Sequence, residues 1–186
     1  GPYPYPTITI VDPPFHGLRS GLMEYPTLIT VGTFYNMPLG IKNSEALAAH
    51  EFAHQYWGDY LEPHYIAGAP LLTETLAKYT ELVVTKAAYD ETSAFDLVNN
   101  SLDMYLKMRP YMTEFEQPLF TMGYDPHLFY GKGQHSMYAL LDVLGEEKIN
   151  RALQQLLVAN GYPNKPTSLD LLDVFYQQAT EEQAQR

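Results

Sequence analysis

Apolar and polar positions change their period near residue 43. Ahead of it, Thr7-Ile8-Thr9-Ile10-Val11 and Thr27-Leu28-Ile29-Thr30-Val31 are β-branched runs of strand length. The first stops at Asp12-Pro13-Pro14 and the second at Gly32, residues that break regular structure. The stretch between them, with Gly17, Gly21 and Glu24, reads as a connection. From Asn43 the spacing turns helical. Ala46, Ala49, Ala53, Tyr56 and Tyr60 recur at steps of three and four and predict one buried face. Asn43 or Ser44 can cap that helix, and Glu45 suits the positive end of its dipole. Leu72, Leu76, Tyr79 and Val83 mark the inner face of a second helix over 71–89, and a third runs over 93–108, ahead of Pro110. Residues 110–128 read as loop. Helices near 131–144, 146–159 and 168–179 follow, with Gly145 and Gly161 as stops. The pattern predicts an α+β fold in one domain spanning 1–186: a small β lobe over 1–42 and a mainly helical lobe over 43–186.

Composition narrows the chemistry. An apolar share of 46% suits a packed core, and a formal net charge of -11 speaks against a nucleic-acid partner, which needs clustered cations. With no cysteine, any metal must be held by His, Asp or Glu. No apolar run reaches the roughly 18 residues of a membrane helix, and no basic start leads into an apolar leader. The opening Gly1-Pro2-Tyr3-Pro4, without Met, reads as a piece of a longer protein. The compartment stays open.

His50-Glu51-Phe52-Ala53-His54 lies in the first predicted helix. Helical residues four apart differ by about 40° in direction and stand one turn apart, so both imidazoles leave the same face and can share a metal. Glu51 is placed to act as a base beside that metal rather than to ligate it. Zn2+ takes nitrogen ligands of this kind, and a catalytic site uses three protein ligands with a fourth position left for water. The third ligand should be an acid on a neighbouring helix. Glu74, after the turn containing Gly68 and Pro70, is the favoured choice over Glu62 in a Pro-containing turn and Glu81 two turns further on. His16, His64, His127 and His135 are read as surface or turn histidines, and Lys132 as a solvated or locally paired charge.

Four segments resemble the aminopeptidase N family of gluzincin metallopeptidases. Gly21-Leu22-Met23-Glu24-Tyr25 is similar to the family's Gly-x-Met-Glu-Asn motif, and His50 to Gly58 to its His-Glu-x-x-His-Gln with an aromatic pair. Glu74 with Leu76-Ala77-Lys78-Tyr79 resembles the segment of its third ligand, and Tyr130-Gly131-Lys132-Gly133 its Tyr-x-Lys-Gly segment. The order and rough spacing of the four agree with the family. Tyr25 and Thr73 stand where the family has Asn, and nineteen residues (55–73) rather than eighteen separate His54 from Glu74. These departures resemble a bacterial branch in which such domains can be joined to transporter-like membrane segments.

The resemblance implies a thermolysin-like zinc metallopeptidase catalytic domain with one Zn2+ on His50, His54 and Glu74. It implies Glu51 as general base, Tyr130 as a hydrogen-bond donor to the oxyanion, and Glu24, with Gly21 and Met23, as the site for a substrate's free amino terminus. The partner is then a peptide with a free N-terminus. The resemblance further implies flanking domains outside this chain, and it allows for membrane segments in a parent protein. Two other readings remain open: an endopeptidase on the same metal, and a non-catalytic binding domain that keeps the zinc site.

Overall fold

The computed structural model describes residues 2–14, 16–17, 22–32 and 43–185. The expected site residue Gly21 and the stretch 33–42 lie outside them.

Three short strands form one sheet in the order β1-β3-β2: β1 (Thr9–Val11), β2 (Leu22–Tyr25) and β3 (Leu28–Val31). β1 runs parallel to β3, whereas β2 and β3 form an antiparallel hairpin in which Glu24 faces Ile29 and Tyr25 faces Leu28. β2 corrects the sequence reading, which left 22–25 in a connection. Its residues gain strand character only by pairing with β3 through the two-residue turn Pro26–Thr27. The hydrophobic alternation in Leu-Met-Glu-Tyr is too weak to announce this.

The rest is helical: α1 (Asn43–Ala53), α2 (Leu76–Ala88), α3 (Glu91–Met108), α4 (Gly133–Leu144), α5 (Glu146–Ala159), α6 (Ser168–Gln178) and the short α7 (Glu181–Ala184). α1 stops at Ala53, so the face expected to run on to Tyr60 breaks off. Tyr60 is exposed, and Trp57, after a turn, enters the core instead. α3 starts at Glu91, two residues ahead of the expected 93, because the Asp90 side chain accepts from Ser93 N at 2.7 Å and caps it. α7 was not expected. The Thr180 and Gln183 capping box that opens it is its signal in the sequence.

Two wide π-helical turns, Leu71–Thr75 and His127–Lys132, lead into α2 and α4. Such turns take one residue more than an α-turn, and they gather at functional sites. The main core lies among α2, α4, α5 and α6, around Leu72, Leu76, Phe129, Ile149, Leu156 and Leu171. α1 packs on α2 and on the sheet, which puts α1 between the hairpin and the helical core. Among the described residues no helix is long and apolar enough to cross a membrane.

Candidate active site

Packing in this region is decided by small residues and one hydroxyl. A Cβ on Gly131 would lie 2.8 Å from Tyr105 Cβ and 3.0 Å from Ser101 O, so only glycine lets the turn after Tyr130 seat against α3. A Cβ on Gly133 would lie 2.5 Å from Thr75 Oγ1. Thr75 Oγ1 in turn donates to Phe129 O at 2.9 Å. Of the two glycines of Tyr-Gly-Lys-Gly, Gly131 thus seats the turn bearing Tyr130 on α3, and Gly133 lets the chain just after that turn close on Thr75, next to Glu74.

His50, on α1, and His54, one residue past its end, bring their Nε2 atoms to 3.2 Å. Glu74 Oε2 stands 3.5 Å from each of them. A tetrahedral zinc bonded at about 2.0–2.1 Å holds its ligands about 3.3–3.4 Å apart. The three atoms therefore form a triangle of the size of one face of a zinc coordination shell. Among the described residues the buried Glu74 Oε2 has no hydrogen-bond partner, as expected of an atom placed for a cation. The donor set fits zinc.

The outer ring nitrogen of His54 is held, with Nδ1 3.0 Å from Trp57 O. His50 Nδ1 faces Glu81 Oε2 at 3.5 Å, an ion-pair distance without a hydrogen bond, and Glu81 is itself buried and paired with Lys78 at 2.5 Å. The contact with Trp57 O fixes the His54 tautomer with Nε2 free to ligate, and the Glu81 carboxylate favours the same tautomer of His50 by its charge. Sequence reasoning set Glu81 aside as a competing ligand and missed this contact. Its seven-residue spacing from Glu74 was the available signal.

Glu51 is buried beside the triad, and Glu24 completes a second group: carboxylate oxygens of Glu24 and Glu51 and a ring nitrogen of His54 all lie within 4.8 Å of one another. Leu22 and Glu24, two apart on β2, leave the strand on one face, toward the site. Met23 leaves on the opposite face and is exposed, so its side chain does not join the group that Glu24 enters. Tyr130 is half-buried, with its ring 5.7 Å from that of His50. A cleft of about 420 Å³ opens beside His50, Glu51 and Tyr130, with apolar walls that include Leu22, Leu47 and Leu97.

Burial and crowding set the charges. Burial pushes the Glu51 carboxyl above the usual range; the two imidazoles oppose this, and Glu24 and Glu74 add to it. For His54, burial works against the charged ring, but the Glu74 hydrogen bond and the negative charges of Glu74 and Glu24 lift it to about 9. Burial likewise opposes the charged form of Glu74, yet the two histidines hold it well below the ordinary carboxylate value. The Tyr130 hydroxyl is pushed far up, first by burial and then by Glu74, so it stays protonated at any working pH.

Outside this group the histidines differ from expectation at one position. His127 is buried rather than at the surface, paired with Asp125 and stacked 6.4 Å from the Tyr105 ring. Lys132 pairs with Glu116, which also accepts from Tyr105 Oη at 2.7 Å.

The model of the peptidase family M1 domain matches residues 1–185. Over 122 residues, 62% of this chain, the sequence is 31% identical to human endoplasmic reticulum aminopeptidase 2, of which it covers 13%. The fold matches that of an M1 zinc metallopeptidase from Deinococcus radiodurans with a TM-score of 0.71 at 21% identity, over all of this chain and 39% of that one. The chain thus spans well under half the length of both proteins.

Proposed function

The chain belongs to peptidase family M1, and on that footing we propose that it is the catalytic part of a zinc-dependent aminopeptidase, which hydrolyses the first peptide bond of a chain with a free amino terminus. His50, His54 and Glu74 would hold one zinc ion. When bound, zinc supplies Lewis acidity and acidifies water at the site. Glu51, whose carboxyl is raised by burial, takes up a proton during attack and returns it to the departing amine. The protonated Tyr130 hydroxyl donates a hydrogen bond to the substrate carbonyl oxygen as negative charge develops there.

The observation that carries the exopeptidase reading is the place of Glu24. Hydrolysis itself uses the triad, a base and a donor. A further carboxylate within 4.8 Å of both Glu51 and His54 suits a group that must hold a substrate ammonium beside the scissile bond. A resemblance to a protein named as an aminopeptidase points the same way. The test compares cleavage of one peptide with its amino terminus free and acetylated, using zinc-loaded full-length protein. Strong preference for the free form supports the reading. Equal cleavage of both favours an endopeptidase, and no cleavage with zinc bound favours a binding domain.

A further inference from the structure

The side chain of Gln55 is fully buried, and all four of its hydrogen-bonding positions are used. Its Oε1 accepts from Thr27 N at 2.8 Å and from Tyr3 Oη at 3.1 Å. Its Nε2 donates to Tyr25 O at 2.9 Å and to Asp59 Oδ2 at 3.0 Å. Two of these bonds fall on either side of Pro26, in the turn that joins β2 to β3. Thr27 has φ 65, a conformation that a β-branched residue adopts only when its surroundings hold it there. Gln55 holds it. The amide therefore ties the hairpin that carries Glu24 to the residue directly after His54.

We propose that Gln55 is a positioning residue for amino-terminus recognition: it sets the distance between Glu24 on the hairpin and the His50-Glu51-His54 group on α1. This rests on the reading of Glu24 as the ammonium site and assigns the device that keeps it in register. The hairpin reaches α1 through a short sheet of three strands, so the side chain needs such an anchor to hold a carboxylate beside the base. Asp59, on the far side of the amide, fixes which way the amide faces, because only Nε2 can donate to it. Gln55→Glu keeps the size of the side chain but cannot donate to Tyr25 O and places a second carboxyl against Asp59. Gln55→Asn keeps an amide too short to reach both sides of the turn.

The experiment uses zinc-loaded full-length protein and two inhibitors, an amino-acid hydroxamate and its N-acetyl form. It is paired with calorimetric binding of an amino-acid amide and its N-acetyl form to zinc-depleted protein. Wild type is expected to prefer the free-amine partner in each pair by at least tenfold. In Gln55→Glu and Gln55→Asn that preference should fall at least fivefold, through a higher KM for free-amine substrates with kcat changed less than threefold and zinc content unchanged. A wild-type preference near one would sink the ammonium reading itself. A normal wild-type preference retained by both variants would overturn the role of Gln55 alone, and so would equal loss of both inhibitors together with zinc. Should one variant fail to fold, as shown by melting, the other decides.

Discussion

Thr75 Oγ1 donates to Phe129 O at 2.9 Å inside the core, across 54 positions of sequence. Thr75 directly follows the proposed zinc ligand Glu74, and Phe129 directly precedes Tyr130. This one bond therefore ties the turn of Glu74 to the turn of Tyr130, the proposed ligand to the proposed oxyanion donor. Thr75→Val keeps the shape and leaves the Phe129 carbonyl without this partner. A loss of about 1–3 kcal/mol in unfolding free energy is expected, as for a buried group left unsatisfied, together with a fall in kcat. Denaturant titration and steady-state kinetics check both. A variant with unchanged kcat would separate Tyr130 from this contact.

Glu51→Gln would remove the proposed proton acceptor and leave the three proposed ligands in place. Zinc content should stay at the wild-type level while turnover falls by roughly 10²–10⁴-fold, the usual worth of a positioned acid–base group. Metal analysis beside hydrolysis of an amino-acid amide reads this out. Turnover at the wild-type rate would remove Glu51 from the chemistry.

Glu81→Gln alters the partner of His50 Nδ1, which now lies 3.5 Å from the carboxylate. Loss of such an outer partner typically costs about 10–100-fold in metal affinity. A competition titration with a zinc chelator measures it, and an affinity unchanged within twofold would show that Lys78 and burial alone orient Glu81 for some other purpose.

The pH dependence follows from His54. Its folded-state pKa is raised to about 9, so the stability it contributes to the zinc-free protein is complete below about 6.5 and is lost as pH rises through 9. Zinc requires the neutral ring, so affinity should climb over that same interval and binding should release protons. Calorimetry at pH 7.5 in buffers of different ionisation enthalpy is expected to show release of at least about one proton per zinc, since His50 is raised above its ordinary value as well. No release would mean that His54 is neutral before the metal arrives.

What could be read from residue order alone was the part of the site that local geometry fixes. Four-residue spacing on a helix turns His50 and His54 to the same side whatever else the chain does, and Glu51 follows between them. Strand-like Leu28–Val31 and the helical periods of α2 to α6 were legible for the same reason, since each element buries a face that repeats with its own period. Tertiary structure decided everything that reaches this group from elsewhere. β2 exists only through its pairing with β3, and Glu24 arrives at the site because Gln55 clamps their turn. Glu74 and Tyr130 converge because Thr75 Oγ1 bonds Phe129 O and Gly133 leaves room for Thr75, while Gly131 seats the second turn on α3. Glu81 reaches His50 only once α2 lies against α1. Such contacts join positions far apart in sequence, where no period connects them, so only the packed core can choose among the acids and tyrosines available.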